Sequence, residues 1–376
     1  MIESNRLAGI EISLIRRVLD QASPGAVNMA LGELGYPLPE CLQKQAHKLL
    51  DHGTAVYTPN AGLPELRESI AAYYGDGTVA EQICVSNGAE EAIYLSLLAL
   101  SNPGETIAIP DPDYPAYTAI ASILGCNVMR LPYEKDLINI NWELWEQLLR
   151  TSQAKILILS NPQNPSGKCF NKTELNNLST ICNKQHICVV VDEIYRDLYH
   201  EEAMPGPQQE FKDLIRISGL SKSHCMSGWR LGWVNAPTPI SGAVIKAKQY
   251  VSTCAHWLSQ QLAIFALSPA GMRAQAEIRK RLRDDMVFVQ NSCAGLGNKI
   301  VVKIPQAGPY VMIKTDLNDL DQTSRLASNG LITVPGSAFG KVAQGWIRLN
   351  IALPSFALQQ GLDILRTTLT QTSHGA

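Results

Sequence analysis

The sequence predicts an α/β protein: a large domain with a mainly parallel central sheet flanked by helices, and a smaller α+β domain beside it. Short apolar runs closed by glycine or polar turns alternate with helical patterns through the middle of the chain, the rhythm of βαβ units. Beyond Leu267 that rhythm gives way to one long charged helix, short strands and a last helix. At 376 residues, a large domain plus a smaller one is the natural division.

The alternation opens with "QICVSN" as a strand and "AEEAIYLSLLAL" as its helix, and continues with "TIAIPDPDY" and "YTAIASILG". "KILILSNPQNP" and "KTELNNLSTICNK" repeat the pair, and "HICVVVDEIY" follows. "DLIRIS" and "RLGWVNA" are further strands, with "WRLGW" read as the start of a buried strand carrying its arginine inside. The long helix is "AGMRAQAEIRKRLRDDMVFVQNSC" and the last is "PSFALQQGLDILRTTLTQ". The large domain is placed at 40–260, the smaller at 261–376 with 1–39 added to it. There is no internal repeat, low-complexity tract or long linker.

Composition narrows the class of function. Hydrophobic residues make up 45% and charged residues 18%, an ordinary soluble balance, and the net charge of −2 gives no electrostatic case for nucleic acid or an acidic membrane. The nine cysteines are scattered, odd in number and without a C-x-x-C pair, so they read as reduced thiols of a cytoplasmic protein. The amino terminus has polar residues where a signal peptide needs an apolar run, and no eighteen apolar residues run together; export and membrane insertion are disfavoured.

In open parallel sheets ligands bind beyond the carboxyl ends of the strands. There these strands release "SNGAEE", "PDPDYP", "SNPQNPSG", "DEIY" and "SGLSK", which one cleft would collect. Asp192 ends the run "ICVVVD" at the edge of a buried sheet and needs a cationic or hydrogen-bonding partner there, such as a heterocyclic N–H, or it caps a local turn. Tyr195 falls on the same side if a helical turn follows.

Gly88, Ala89 and Glu90 open a helix, whose free N–H groups and positive dipole end suit a phosphate. Arg230 is either the matching cation or half of a structural ion pair. Asn164 sits between prolines that stiffen its loop, and Tyr114 offers a flat face for stacking or a tyrosine for the core. Lys222 lies in a loop of small residues, the setting of a lysine that forms an imine when its pKa is lowered. Together these residues describe a site for a phosphorylated, ring-bearing aldehyde.

With these residues in place, the chain resembles the pyridoxal-phosphate-dependent fold-type I enzymes of aminotransferase class I/II, nearly end to end. The stretches that match, in order, are "LGELGYPLP", "YTPNAGLPELRESI", "SNGAEEAI", "DPDYPAY", "SNPQNPSG", "VDEIYRDL", "SGLSKSHCMSGWRLGW", "VPGSAFG" and "WIRLNIA". The resemblance implies pyridoxal 5′-phosphate as cofactor, Lys222 as imine lysine and proton shuttle, and Asp192 on the pyridine nitrogen. It implies Asn164 and Tyr195 on the phenolic oxygen, Tyr114 stacked on the ring, and Gly88 to Glu90, Ser221 and Arg230 around the phosphate. Tyr57 would reach the phosphate of a neighbouring subunit, making the protein a homodimer with shared active sites. Arg348 would clamp the substrate α-carboxylate, aided by Asn164 and the backbone near Gly32.

Several positions depart from that pattern. Glu90 replaces a serine or threonine of the phosphate cup, so its carboxylate must point away or find a cation. Gly219 replaces a serine, leaving Ser218 and Ser221 as candidate phosphate donors. "GPYV", Gly308 to Val311, and the bulky His256 and Trp257 are expected to reshape the pocket, with His256 either a substrate-side acid or base or a packed structural residue. Glu11, Glu33 and Asp113 are placed near the entrance, where an acidic rim would favour a cationic side chain.

Transfer of the α-amino group to a 2-oxo acid is therefore the first reading of function. Elimination and ring closure on a hydroxylated arginine, as in capreomycidine synthase-like cyclases, is the second. A transcription regulator that uses this fold to sense an effector is a remote third, since only a short segment precedes "LGELGYP".

Overall fold

The structure is a computed structural model and describes residues 4, 6–20, 23–51, 56–201, 211–294, 296 and 300–370. The chain enters through helix α1 (Leu14–Asp20), strand β1 (Val27–Asn28), α2 (Glu40–Asp51) and α3 (Pro64–Tyr74). The βαβ region then runs β2 (Ile83–Ser86), α4 (Ala89–Leu100), β3 (Thr106–Asp111), α5 (Pro115–Ile123), β4 (Asn127–Pro132), α6 (Trp142–Ser152), β5 (Ile156–Ser160), α7 (Lys172–Gln185), β6 (Cys188–Asp192), β7 (Leu214–Gly219) and β8 (Gly232–Asn235). After α8 (Thr238–Val251) and α9 (Trp257–Ala266) comes the long α10 (Pro269–Cys293). The chain closes with β9 (Val301–Lys303), β10 (Tyr310–Lys314), α11 (Asp319–Ser328), β11 (Leu331–Ile332), β12 (Val334–Pro335), β13 (Trp346–Asn350) and α12 (Ser355–Thr370).

The central sheet has the order β2-β8-β7-β6-β5-β3-β4, and only β8 runs against the others. All five residues of β5 are buried, as a parallel strand covered on both faces requires. Its side chains alternate between two cores: Ile156 and Ile158 face one with Ile93 and Val190, while Leu157 and Leu159 face the other with Phe170 and Leu175. Local chemistry ends the helices. Pro115 at the first position of α5 has no N–H to leave unpaired, and Asn171 and Glu174 close a reciprocal capping box at α7.

A four-stranded antiparallel sheet, β12-β13-β10-β9, stands beside it, and β1 pairs in parallel with β11, which ties the amino-terminal segment to this part of the fold. Its core holds Leu282, Ile313, Leu349 and Leu362, and reaches Ile194 and Tyr195 in the turn after β6. The two layers of the protein meet there.

Two elements lie outside the apolar pattern. β4 is an edge strand with only Leu131 fully buried, and α6 follows it; neither offers the continuous apolar run that marks the inner strands. The reading of "WRLGW" as a strand from its first residue is corrected. Arg230 precedes β8, in a left-handed backbone conformation (φ 50°) after a single 3₁₀ turn, and it is exposed. The turn carries it out over the strand ends instead of into the sheet.

Candidate active site

The carboxyl ends of β5, β6 and β7 open on a cleft of about 410 Å³, lined among others by Asn164, Asp192, Tyr195, Lys222, Arg230 and Arg348. Asp192 is the last residue of β6 and is 4% exposed. Its Oδ2 accepts from the Tyr117 hydroxyl at 2.8 Å and its Oδ1 from the Ile194 N–H at 3.0 Å. Burial raises its carboxyl to about 6 against these bonds and the nearby Lys222 charge, so a cationic partner in the cleft would restore its ionisation.

Lys222 stands in the turn that follows β7, and its Nζ donates to the Gly32 carbonyl at 2.5 Å. Burial lowers it to about 8; Glu33 and Asp192 oppose the shift, Arg230 and Arg348 add to it. It is an amine poised to lose its proton near neutral pH.

Arg348, from the middle of β13, is buried, and a surface strand position is excluded for it. Its Nη1 donates to Asn164 Oδ1 at 2.9 Å and its Nη2 to the Ala30 carbonyl at 2.7 Å, while its Nε has no acceptor among the described residues. The guanidinium lies 4.1 Å from the Tyr310 ring and 4.7 Å from that of Phe339. Tyr310 in turn meets the Tyr195 hydroxyl at 2.7 Å, and a side chain at Gly32 would strike the Tyr310 oxygen, its Cβ falling 2.8 Å away.

On the opposite wall, Gly88 (φ 90°) leads into α4, whose first residues Ala89 and Glu90 line the cleft. A Cβ at Gly88 would lie 2.6 Å from Arg230 Nη2, and one at Gly232 would lie 2.5 Å from the Ala89 nitrogen. The two glycines therefore let a guanidinium and a helix start close on one point, the arrangement that holds an anion. Arg230 is kept there by its bond from Nη1 to the Ser227 carbonyl at 3.0 Å. Ser221 and Tyr114 line the same cleft.

Not every residue singled out in the sequence arrives. Glu11 is exposed, pairs with Arg17 at 3.1 Å and does not line the cleft. His256 is exposed at the start of α9, its Nδ1 3.2 Å from Ser259 Oγ, and is likewise outside the lining. Asp113 is not at the entrance: it is buried, accepts from Ser160 Oγ at 2.5 Å and from the Tyr114 N–H at 2.8 Å, and burial raises it to about 7. Ser218 donates to the Glu193 carbonyl at 3.5 Å, away from the lining, which leaves Ser221 of the two serines. Glu90 neither points away nor finds a cation; its Oε2 accepts from the Tyr114 hydroxyl at 3.2 Å. Tyr57 is 88% exposed and outside this cleft, and Glu33 lines it with its carboxylate 3.3 Å from Ser227 Oγ.

Sequence reasoning passed over Tyr117 and Asn350, and met Tyr310 only within "GPYV", which does reach the cleft. Tyr117 follows Tyr114 by three residues at a helix start, the spacing that puts both on one face. Asn350 lies two residues from Arg348 on the same face of β13, and its Nδ2 donates to the Leu31 and Glu33 carbonyls at 2.6 Å each, which fixes the segment carrying Gly32. That period-two spacing was a usable signal; nothing local in "GPYV" shows that Tyr310 joins Tyr195 to Arg348.

Fold and cleft together define an α/β enzyme whose site is assembled from strand ends around a desolvated lysine. The family model described as aminotransferase class I and II matches residues 24–365, and the chain belongs to that family; amino transfer is its reaction class. A probable aspartate aminotransferase of Methanocaldococcus jannaschii is 27% identical over 96% of this chain and 98% of its own. A probable N-acetyl-LL-diaminopimelate aminotransferase of Bacillus subtilis is 28% identical over 95% and 93%. The crystal structure of an aromatic aminotransferase from Pyrococcus horikoshii superposes with a TM-score of 0.85 at 26% identity, covering 96% of this chain and 99% of that one.

Proposed function

We propose that the protein is a pyridoxal-phosphate-dependent aminotransferase that moves the amino group of an α-amino acid to a 2-oxo acid. The observation that carries this reading is the convergence, in one cleft, of a desolvated Lys222, a buried Asp192 and an anion-shaped helix start beside Arg230. The residues present fit the cofactor: a carboxylate short of a cationic partner, a phenol and an amide lining the same cleft, and an anion cradle where a Cβ at Gly88 would strike Arg230. When bound, the cofactor supplies an aldehyde for amine exchange and an electron sink for the α-carbon.

Asp192 would hold a proton at the ring nitrogen, Asn164 and Tyr195 would bond its phenolic oxygen, and Tyr114 would pack against the ring. Ser221, Arg230 and the N–H groups of Ala89 and Glu90 would bind the phosphate. Arg348 takes the substrate carboxylate, with its unpaired Nε and its fixed plane between Tyr310 and Phe339 as the reasons it is free to do so. Lys222, neutral above about pH 8, moves the proton at the substrate α-carbon.

The reading includes a homodimer in which the exposed Tyr57 completes the phosphate site of the second copy, and a cytoplasmic setting consistent with nine free cysteines. No described helix is long and apolar enough to cross a membrane. Borohydride reduction of freshly purified protein should leave a pyridoxyl adduct on Lys222, and an amino-acid panel should release 2-oxo acids. Absence of the adduct refutes the reading.

One observation favours a second reading of the substrate. Lys222, Arg230 and Arg348 are the cations of the cleft, each already committed, whereas Glu33 and Glu90 add two exposed carboxylates to its lining. A cationic side chain suits that wall, as in the dehydration and ring closure of a hydroxylated arginine. Loss of water with the amino group retained, seen by product mass, identifies this outcome.

A further inference from the structure

Away from the cleft, α8 buries a lysine completely. Lys248 has no exposed surface, and its Nζ donates to Glu91 Oε2 at 2.8 Å and to Ser252 Oγ at 2.9 Å. An ammonium in such a place is strongly unfavourable without a charged partner. The partner is informative, because Glu91 is the third residue of α4, immediately behind the anion cradle.

Glu91 anchors the turn that forms that cradle. Its Oε2 accepts the Asn87 backbone N–H at 2.6 Å, and both of its oxygens lie 3.2 Å from Asn87 Nδ2. Asn87 Nδ2 also reaches the Cys254 carbonyl at 3.5 Å, so the network joins the cradle to the segment after α8. Since Glu91 takes its backbone bond from Asn87, outside the helix, the first N–H groups of α4 remain for a ligand. Burial would raise the Glu91 carboxyl, but the bonds from Lys248, Ser252 and Asn87 hold it below its ordinary value, and it stays charged.

A carboxylate at this point presents a conflict. It would occupy the positive end of the α4 dipole and repel a phosphate arriving at the same end. We propose that Lys248 is a positioning residue of the anion cradle: in a buried pair it cancels the charge of Glu91, which then anchors Asn87 without repelling the phosphate held by Gly88 to Glu90. The inference rests on the reading of this cleft as a site for a phosphate-bearing cofactor. It assigns Lys248 no contact with that cofactor.

The test titrates protein resolved of its cofactor with pyridoxal 5′-phosphate and, in parallel, with pyridoxal, which has no phosphate. The ratio of the two dissociation constants isolates the cradle from the rest of the site. Lys248→Met should shrink the preference for the phosphorylated ligand roughly tenfold, Glu91→Gln should enlarge it, and the double variant should return it to the wild-type value. Equal ratios in wild type and Lys248→Met overturn the proposal, as does an equal loss of both ligands, which marks a purely structural role. If Lys248→Met does not fold, Glu91→Gln and the double variant decide: a ratio enlarged in the first and restored in the second supports the pair, and any other order overturns it. Wild-type protein that binds neither ligand refutes the cofactor reading instead, so the two failures are told apart.

Discussion

At the floor of the cleft, Asp192, Asn164 and Arg348 are each at most 5% exposed and are held by bonds within the chain, whereas at its mouth Glu33, Glu90 and Arg230 are exposed and hold few. The floor is assembled by the end of β6, the middle of β13 and the buried turn after β5. The mouth is assembled by turns and a helix start. A preorganised floor fixes the chemistry, since its dipoles need not reorganise during reaction. The loose mouth is where a ligand completes the site and where choice among side chains resides.

That contrast predicts a steep gradient of mutational effects from floor to mouth. Lys222→Ala should remove the borohydride adduct at that residue and lower turnover by at least ~10³-fold. In the wild type, the rate of adduct formation should rise with pH through about 8, because burial lowers Lys222 to about 8 and the neutral amine is the nucleophile. A pH-independent rate would break the link between burial and reactivity.

Asp192→Asn should lower turnover roughly 10²- to 10⁴-fold and yet leave the cofactor-free protein no less stable at pH 8. The sign follows from linkage. With its folded pKa raised to about 6, Asp192 binds a proton on folding between about pH 4 and 6, so stability falls as pH rises through that window, and the amide removes the penalty. Thermal melts of both proteins at pH 4.5 and pH 8 check this, and a variant that melts lower at pH 8 would contradict it.

Arg348→Lys keeps a charge but loses the planar fork that Asn164 and Ala30 position, so KM for the amino acid should rise about 10- to 100-fold with kcat changed less. Tyr310→Phe keeps the ring under Arg348 and removes only the bond to Tyr195, about 0.5–1.5 kcal/mol. Expected are a few-fold loss in kcat/KM and a displaced pH transition in the holoenzyme absorption spectrum; an unmoved transition would detach Tyr310 from the site. Smallest is Glu90→Gln at the mouth, which should tighten pyridoxal 5′-phosphate binding about two- to fivefold by removing a like charge. A larger effect there than at Arg348 would invert the comparison.

Much of the floor was legible because its signals are local. "ICVVVD" is apolar along its length with a carboxylate at the end, and a strand buried on both faces needs no more to place Asp192 at the sheet edge. Gly88 before an amphipathic helix and Lys222 in a small-residue turn are local for the same reason. The errors cluster where orientation depends on something remote. "WRLGW" reads as a strand because it is apolar, but Arg230 itself is left-handed at the end of the preceding turn and stands exposed before β8. Asp113 is expected at the rim, yet Ser160 at the end of the neighbouring strand β5 bonds it inside the protein. Glu11 and His256 were placed by charge and size alone, which carry no direction.

By itself the sequence determined the period-two and helical patterns, the turns, and the chemical type of each strand-end side chain, all consequences of neighbours a few residues apart. Tertiary structure alone decided that the Gly32 carbonyl meets Lys222, that Tyr310 bridges Tyr195 and Arg348, and that Lys248 answers Glu91. Those pairs are separated by more than a hundred residues, or are joined through such a residue, and their distances follow from how segments remote in the chain pack against one another, a quantity no local pattern encodes.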